Sequence, residues 1–87
     1  MDTLMWEAKA RAGLGPELLR WVLTEGVSGL GEAVRTEVFT AADRVVVVAV
    51  GPEAPRTLPD PPADLVERAP HAWPFTRITT AAPGPGA

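Results

Sequence analysis

The sequence predicts a single α+β domain with the element order β-α-β-β-α-β, and three observations carry that prediction. Several short segments alternate apolar and polar residues with period two, which is typical of strands. A Gly-Pro pair followed by an apolar stripe at i, i+3/i+4 spacing indicates a helix. An unbroken β-branched run, RVVVVAV, indicates a strand buried on both faces and therefore central in a sheet.

The first strand is predicted over residues 4–10 (LMWEAKA), where Leu4, Trp6 and Ala8 alternate with polar or flexible side chains. The first helix is predicted over residues 16–25, because Pro16 suits the first helical position. Its apolar stripe consists of Leu18, Leu19, Val22 and Leu23. Gly26 is placed as the C-terminal cap of this helix.

The second strand is predicted over residues 32–40 and the third over residues 44–50, with a short turn at 41–43. The two are expected to form an antiparallel hairpin. A proline-rich loop over residues 51–62 leads to a second, short helix over residues 61–69, which Asp60 would cap and Pro70 would end. The fourth strand is predicted over residues 71–79, and Pro74 within it indicates an edge position or a bulge.

This order is that of the ferredoxin-like split βαβ arrangement, a four-stranded antiparallel sheet with two helices on one face. The domain is expected over residues 1–80, with a disordered Pro/Gly/Ala tail over residues 81–87. The opposite sheet face is left open. Trp6 could face either the helices or a partner. The open face is expected to carry Met5, Glu7, Lys9, Arg35, Glu37, Phe39, Trp73, Phe75 and Arg77.

The composition excludes several classes of function. The 87 residues include no cysteine, and 8 basic against 11 acidic side chains give a net charge of −3. Disulfides and thiolate zinc sites are therefore impossible, and a nucleic-acid binder is disfavoured. No apolar run approaches the roughly 20 residues of a membrane span, and the start of the sequence does not resemble a secretory signal. A cytoplasmic protein is therefore expected. No metal or other cofactor is expected.

Few side chains remain that could do chemistry. His71, the only histidine, is the candidate general base, and its alternative is a half-exposed residue at a strand edge. Six further side chains are candidates for contacting a substrate: Trp73, Phe75, Arg77, Arg35, Phe39 and Glu37. Their alternative reading is structural, with aromatic rings that fill a core or interface and charges that form cross-strand ion pairs.

Four segments carry a resemblance to a known family: the opening strand LMWEAKA, the helix GPELLRWVL, the hairpin VRTEVFTAADRVVVVAV and the closing strand HAWPFTRI. Together they resemble the dimeric α/β-barrel superfamily, in particular the antibiotic-biosynthesis-monooxygenase-like domains. The resemblance implies that two sheets pair face to face and that a pocket forms beside them. Catalytic members use asparagine or tyrosine among their pocket residues, and this chain contains neither.

The predicted function is therefore that of a small homodimer, paired through its open sheet face, that binds a planar aromatic molecule. Such a protein would be a cofactor-free oxygenase-like or accessory component of small-molecule metabolism, with His71 as the base. The alternative is a non-catalytic dimerisation or protein-interaction module that has no ligand pocket. The sequence leaves open whether the protein is an enzyme.

Overall fold

The structure is a computed structural model and describes residues 2–30, 35–53 and 57–78. Four strands form one antiparallel sheet in the order β2-β3-β1-β4. They are β1 (Asp2–Lys9), β2 (Arg35–Ala41), β3 (Arg44–Gly51) and β4 (His71–Thr76), and the helix α1 (Gly15–Trp21) follows β1. This is an α+β architecture, and its sheet is compatible with a ferredoxin-like fold.

The valine-rich strand β3 lies between β2 and β1, so the prediction that it is central is confirmed. It pairs over seven residues with β2 and over eight with β1. The β2–β3 hairpin is also confirmed, and it turns at Ala42, whose φ of 55° is positive. An alanine in this left-handed region carries a steric cost that glycine avoids.

One face of the sheet packs against the helix and forms the core. The strands contribute Leu4, Trp6, Ala8, Val45, Val47 and Ala49 to this core, and the helical segment contributes Leu18 and Val22. The side chain of Trp6 is only 1% exposed, so the undecided orientation of this residue is resolved toward the helix. Because neighbouring residues on a strand point to opposite faces, Met5 and Glu7 must lie on the other side of the sheet.

The helical segment does not stay α-helical to its end. A π-helical turn, Val22–Gly26, follows α1, and the Val27 amide donates to the Val22 carbonyl at 3.0 Å. Gly26 closes this turn without a positive φ, and a Cβ atom on it would lie 3.1 Å from the Trp21 ring. The prediction that Gly26 caps the helix is therefore wrong. A glycine at this position instead leaves room for the Trp21 indole ring.

The same π turn corrects the predicted apolar stripe. A π turn holds more residues than an α turn, so the positions that follow Trp21 are rotated about the helix axis. Leu18 and Val22 remain buried, whereas Leu23 is 53% exposed. The stripe therefore ends at Val22.

The prediction of a second helix over residues 61–69 is wrong. The structure has a 3-10 turn, Ala63–Leu65, and Val66 is already extended, with φ −119° and ψ 148°. Val66 forms a β-bridge with Ala10, and the Glu67 amide donates to the Lys9 carbonyl at 3.0 Å. This segment has few apolar side chains that a helix could bury. The β-branched Val66 favours extended backbone, and beside the end of β1 its side chain is buried.

Some predicted boundaries differ from the observed ones. β1 begins at Asp2 and β4 ends at Thr76, three residues before its predicted end. Residues 32–34 of the predicted second strand, residue 79 of the predicted fourth and the predicted tail over residues 81–87 lie outside the described residues. Within the described ranges, no helix is long and apolar enough to cross a membrane.

Two leucines of the helical segment provide a matched test of this core. Leu18 is fully buried and Leu23 is half-exposed. We expect Leu18→Ala to lower the free energy of unfolding by about 2–5 kcal/mol, because it leaves a cavity under the helix. Leu23→Ala should change it by only about 0.5 kcal/mol. Urea denaturation measures both values, and equal losses would contradict the assigned helix face.

Candidate functional site

The sheet face opposite the helix, named here the open face, is the candidate site. Strand register sorts its side chains into three rows that each run from β2 through β3 and β1 to β4. The first row is Arg35, Val50, Thr3 and Phe75. The middle row is Glu37, Val48, Met5 and Trp73. The third row is Phe39, Val46, Glu7 and His71.

The predicted face assignment is confirmed for the residues that lie in these rows. Large apolar side chains remain exposed on this face of the chain: Met5 at 39%, Phe39 at 49%, Trp73 at 41% and Phe75 at 52%. Arg77 lies beyond the last residue of β4 and is exposed, so it has no position in the paired register. The open face therefore combines an apolar surface with aromatic rings at both edges.

The aromatic edge of β4 brings three of the predicted site residues together. His71 and Trp73 share a strand face and meet edge to face, with ring centroids 5.5 Å apart and an interplanar angle of 81°. Phe75 follows on the same face. Among the described residues, the His71 ring makes no hydrogen bond or ion pair, so no hydrogen-bonding partner orients it for proton transfer.

The other three predicted contact residues lie at the opposite edge of the sheet. Arg35, Glu37 and Phe39 belong to β2, and β3 and β1 separate them from β4. Three inter-strand spacings amount to about 14 Å. A single copy of the chain thus divides the predicted site residues into two groups on one face.

Charged side chains of this face are paired within the chain. Arg35 contacts Glu37 two residues along β2, and Glu7 of β1 contacts Arg44 of β3 at 3.7 Å. Lys9 contacts Glu67 at 3.4 Å, which ties the end of β1 to the segment after the 3-10 turn. The structural reading, that these charges form cross-strand ion pairs, is confirmed for Glu7, which pairs with Arg44. Arg35 and Glu37 instead pair along one strand, and Lys9 pairs with the segment after the 3-10 turn.

Two side-chain hydroxyls bear on chemistry at the site. The Ser28 Oγ donates to the Glu25 carbonyl at 2.8 Å, far from the open face, so it is not placed to act with His71. The Thr3 Oγ1 is buried between Val50 and Phe75 and has no hydrogen-bond partner among the described residues. It is a polar atom in an otherwise apolar part of the first row.

Two cavities lie away from the open face. A groove of about 360 Å³ is lined by Arg11, Asp60, Pro61, Ala63, Val66, Glu67, Arg68, Ala69 and Pro70. A smaller one of about 210 Å³ lies beside the start of the helix, between Pro16 and Thr40. Neither contains a predicted site residue. In the described part of the chain, no cluster of three or more histidine, cysteine or acidic side chains could hold a metal ion.

Sequence reasoning missed the contribution of β3 to this site. It took the valine run as buried on both faces, but Val46 and Val48 are only partly buried, because no element among the described residues covers the open side. The signal was available in the alternation of β1, since Met5 and Glu7 pair directly with Val48 and Val46. These valines form the apolar centre of the open face.

Comparisons with known proteins add no identification: the chain matches no protein-family model, no curated protein and no solved structure.

The cross-strand pair between Glu7 and Arg44 can be tested by a double-mutant cycle. We expect Glu7→Gln and Arg44→Gln to show a coupling energy of about 0.2–1 kcal/mol in urea unfolding at low salt and fixed protein concentration. The coupling should fall toward zero in 1 M salt, which screens exposed charges. Glu7→Gln combined with Arg20→Gln, whose cation lies on the helix, is the control cycle. A coupling no larger than in that control would contradict the pairing.

Proposed function

We propose that this chain functions as a homodimer whose two open faces pack against each other, and that the dimer binds a planar aromatic small molecule. The finer fold assignment belongs to the same proposal: a ferredoxin-like domain that assembles as a dimeric α/β barrel. The observation that carries it is the apolar open face, with Val46, Val48 and Met5 at its centre and aromatic rings at its edges.

The size of the open face supports pairing with a second copy. Four strands about 4.8 Å apart and seven residues long at about 3.3 Å each span a projected area of about 440 Å². Two such faces together bury about 900 Å² in projection, before the relief of the side chains is counted. This projected area lies just below the roughly 1,000 Å² of total buried surface that a specific interface should clear, and the relief of the side chains adds to it.

The charges of the open face support the same partner. Burying a charge is costly unless it is paired. Arg35 with Glu37, and Glu7 with Arg44, already form ion pairs within one chain. A covering surface therefore needs to supply apolar area rather than counter-charges, and a second open face supplies it.

The aromatic edge of β4 supports binding of a planar ligand. Trp73 and Phe75 are each about half-exposed on one strand face, and a flat aromatic molecule can stack on such rings. The catalytic extension of the proposal assigns proton abstraction from a phenolic substrate to His71, which touches the Trp73 ring.

A second candidate is a non-catalytic dimerisation or interaction module without a ligand site. One observation favours it: both cavities described above lie away from His71 and the aromatic edge. The two functions share the dimer and differ only in whether a small molecule binds between the faces.

Two side chains of equal exposure provide a matched test of the dimer. Phe75, on the open face, is 52% exposed, and Leu23, on the helical side, is 53% exposed. We expect the wild-type chain and Leu23→Lys to migrate as dimers in size-exclusion chromatography. Phe75→Lys should migrate as a monomer, because the interface would bury an unpaired ammonium group in each copy. A monomeric wild type, or equal dissociation of both variants, would overturn the dimer.

Ligand binding is tested by thermal unfolding with 1-naphthol, a planar phenol. A ligand at 100 times its dissociation constant stabilises the folded state by about 2.7 kcal/mol, so the melting temperature of a domain of this size should rise by roughly 10–20 °C. We expect Trp73→Ala to abolish the rise and Leu23→Ala to retain it. If neither 1-naphthol nor haem shifts the wild-type transition, the result contradicts the ligand site and favours the interaction module.

A further inference from the structure

The division of the site residues between two sheet edges poses a geometric problem for the ligand site. His71, Trp73 and Phe75 lie on β4, and Arg35, Glu37 and Phe39 lie on β2, about 14 Å away on the same face. A two-ring aromatic molecule is shorter than that separation. It cannot contact both groups in one copy, but two copies packed face to face can bring the two groups together.

Closed homodimers have a two-fold axis, and for two packed open faces this axis can lie across the strands or along them. An axis across the strands and over the middle row sets each strand against its own copy. Glu37 would then face the partner's Glu37, and like charges in close opposition are destabilising.

An axis along the strands avoids this repulsion. It keeps each row in place and exchanges the edges, so β4 of one copy lies over β2 of the other. Phe75 then faces the partner's Arg35, a favourable arrangement for a guanidinium and an aromatic ring. Trp73 faces the partner's Glu37, whose carboxylate can accept a hydrogen bond from the indole N–H. At the centre, Met5 faces the partner's Val48, an apolar contact.

We propose that the dimer axis runs along the strands and creates two identical composite sites for a planar aromatic ligand. Each site lies between His71, Trp73 and Phe75 of one copy and Arg35, Glu37 and Phe39 of the other. The facing contacts described above belong to the ligand-free dimer, and a bound ligand replaces them. Packed sheets lie about 10 Å apart, and their twist makes them separate toward opposite corners, which leaves room for a ligand at the edges rather than the centre. This inference rests on the proposed function and adds that one copy alone has no complete site.

Subunit complementation tests this arrangement in the full chain. Trp73→Ala and Phe39→Ala each remove one side of the proposed ligand site. Their side chains are 41% and 49% exposed and lie outside the core, so the substitutions leave the core intact. Each variant alone should form a dimer that binds no 1-naphthol by isothermal titration calorimetry. After joint unfolding and refolding of equal amounts, half the dimers are mixed and each has one intact site. Binding should therefore return to about a quarter of the wild-type stoichiometry.

The other outcomes of this experiment contradict the composite site. Full binding by Phe39→Ala would confine the site to β4 and overturn the composite site. Loss in both variants without recovery in the mixture would place both residues in one copy's site and would also overturn it, while the dimer and its ligand would stand. A wild-type chain that is monomeric, or that binds no 1-naphthol, would overturn the proposed function and the composite site together.

Cross-linking gives a second readout that needs no ligand, because the natural chain has no cysteine. A short bismaleimide should join Phe75→Cys to Arg35→Cys when the two variants are mixed, since the strand-parallel axis sets these positions opposite each other. Neither variant should cross-link with itself. Self-linking of Phe75→Cys, or no link in the mixture, would contradict the proposed axis.

Discussion

The structure depends on the burial of one side chain, Trp6, between the sheet and the helix. Trp6 is the largest side chain of the core and is 1% exposed. A strand alternates its side chains strictly, so this one orientation fixes the face on which every other residue of β1 lies. Through the register with β3 and β4, it also determines that Val48, Met5 and Trp73 share the opposite side.

The helix covers one face of the sheet, and no other described element covers the second face. In the described residues, the segment that the sequence predicted as a second helix is instead extended along the end of β1, through the bridge between Val66 and Ala10. The chain is short, and small domains bury a limited fraction of their surface. The apolar centre of the open face is thus the largest remaining source of hydrophobic stabilisation, which a second copy can supply.

Sequence patterns were sufficient for most of the sheet. Period-two alternation in β1 predicted that strand and its two faces, and the valine run predicted the central strand β3 and the hairpin, because these signals are local. The π turn Val22–Gly26, in which Gly26 lies against the Trp21 ring, was not predicted, because the spacing of the apolar residues matched an ordinary α-helix. The second helix was predicted wrongly because local helix formation competes there with the bridge between Val66 and Ala10. These two residues are far apart in the chain, so no short window of sequence contains both.

For the site, the sequence identified the correct face but not the separation of its residues. Nothing in the spacing of Phe39 and Trp73 along the chain reveals that they lie at opposite sheet edges; the strand order does. In the proposed dimer, that separation makes a second copy part of the site rather than only a source of stability.

The central claim, that a second open face covers this one, is tested most directly by hydroxyl-radical footprinting of the full chain over a range of concentrations. Met5 and Trp73 are exposed in one copy and would be covered in the dimer, whereas Leu23 would stay exposed in both. The account predicts that oxidation of Met5 and Trp73 falls as the protein becomes more concentrated, while oxidation of Leu23 stays constant. Oxidation of Met5 and Trp73 that does not change with concentration, in a chain that sediments as a monomer throughout, would contradict it.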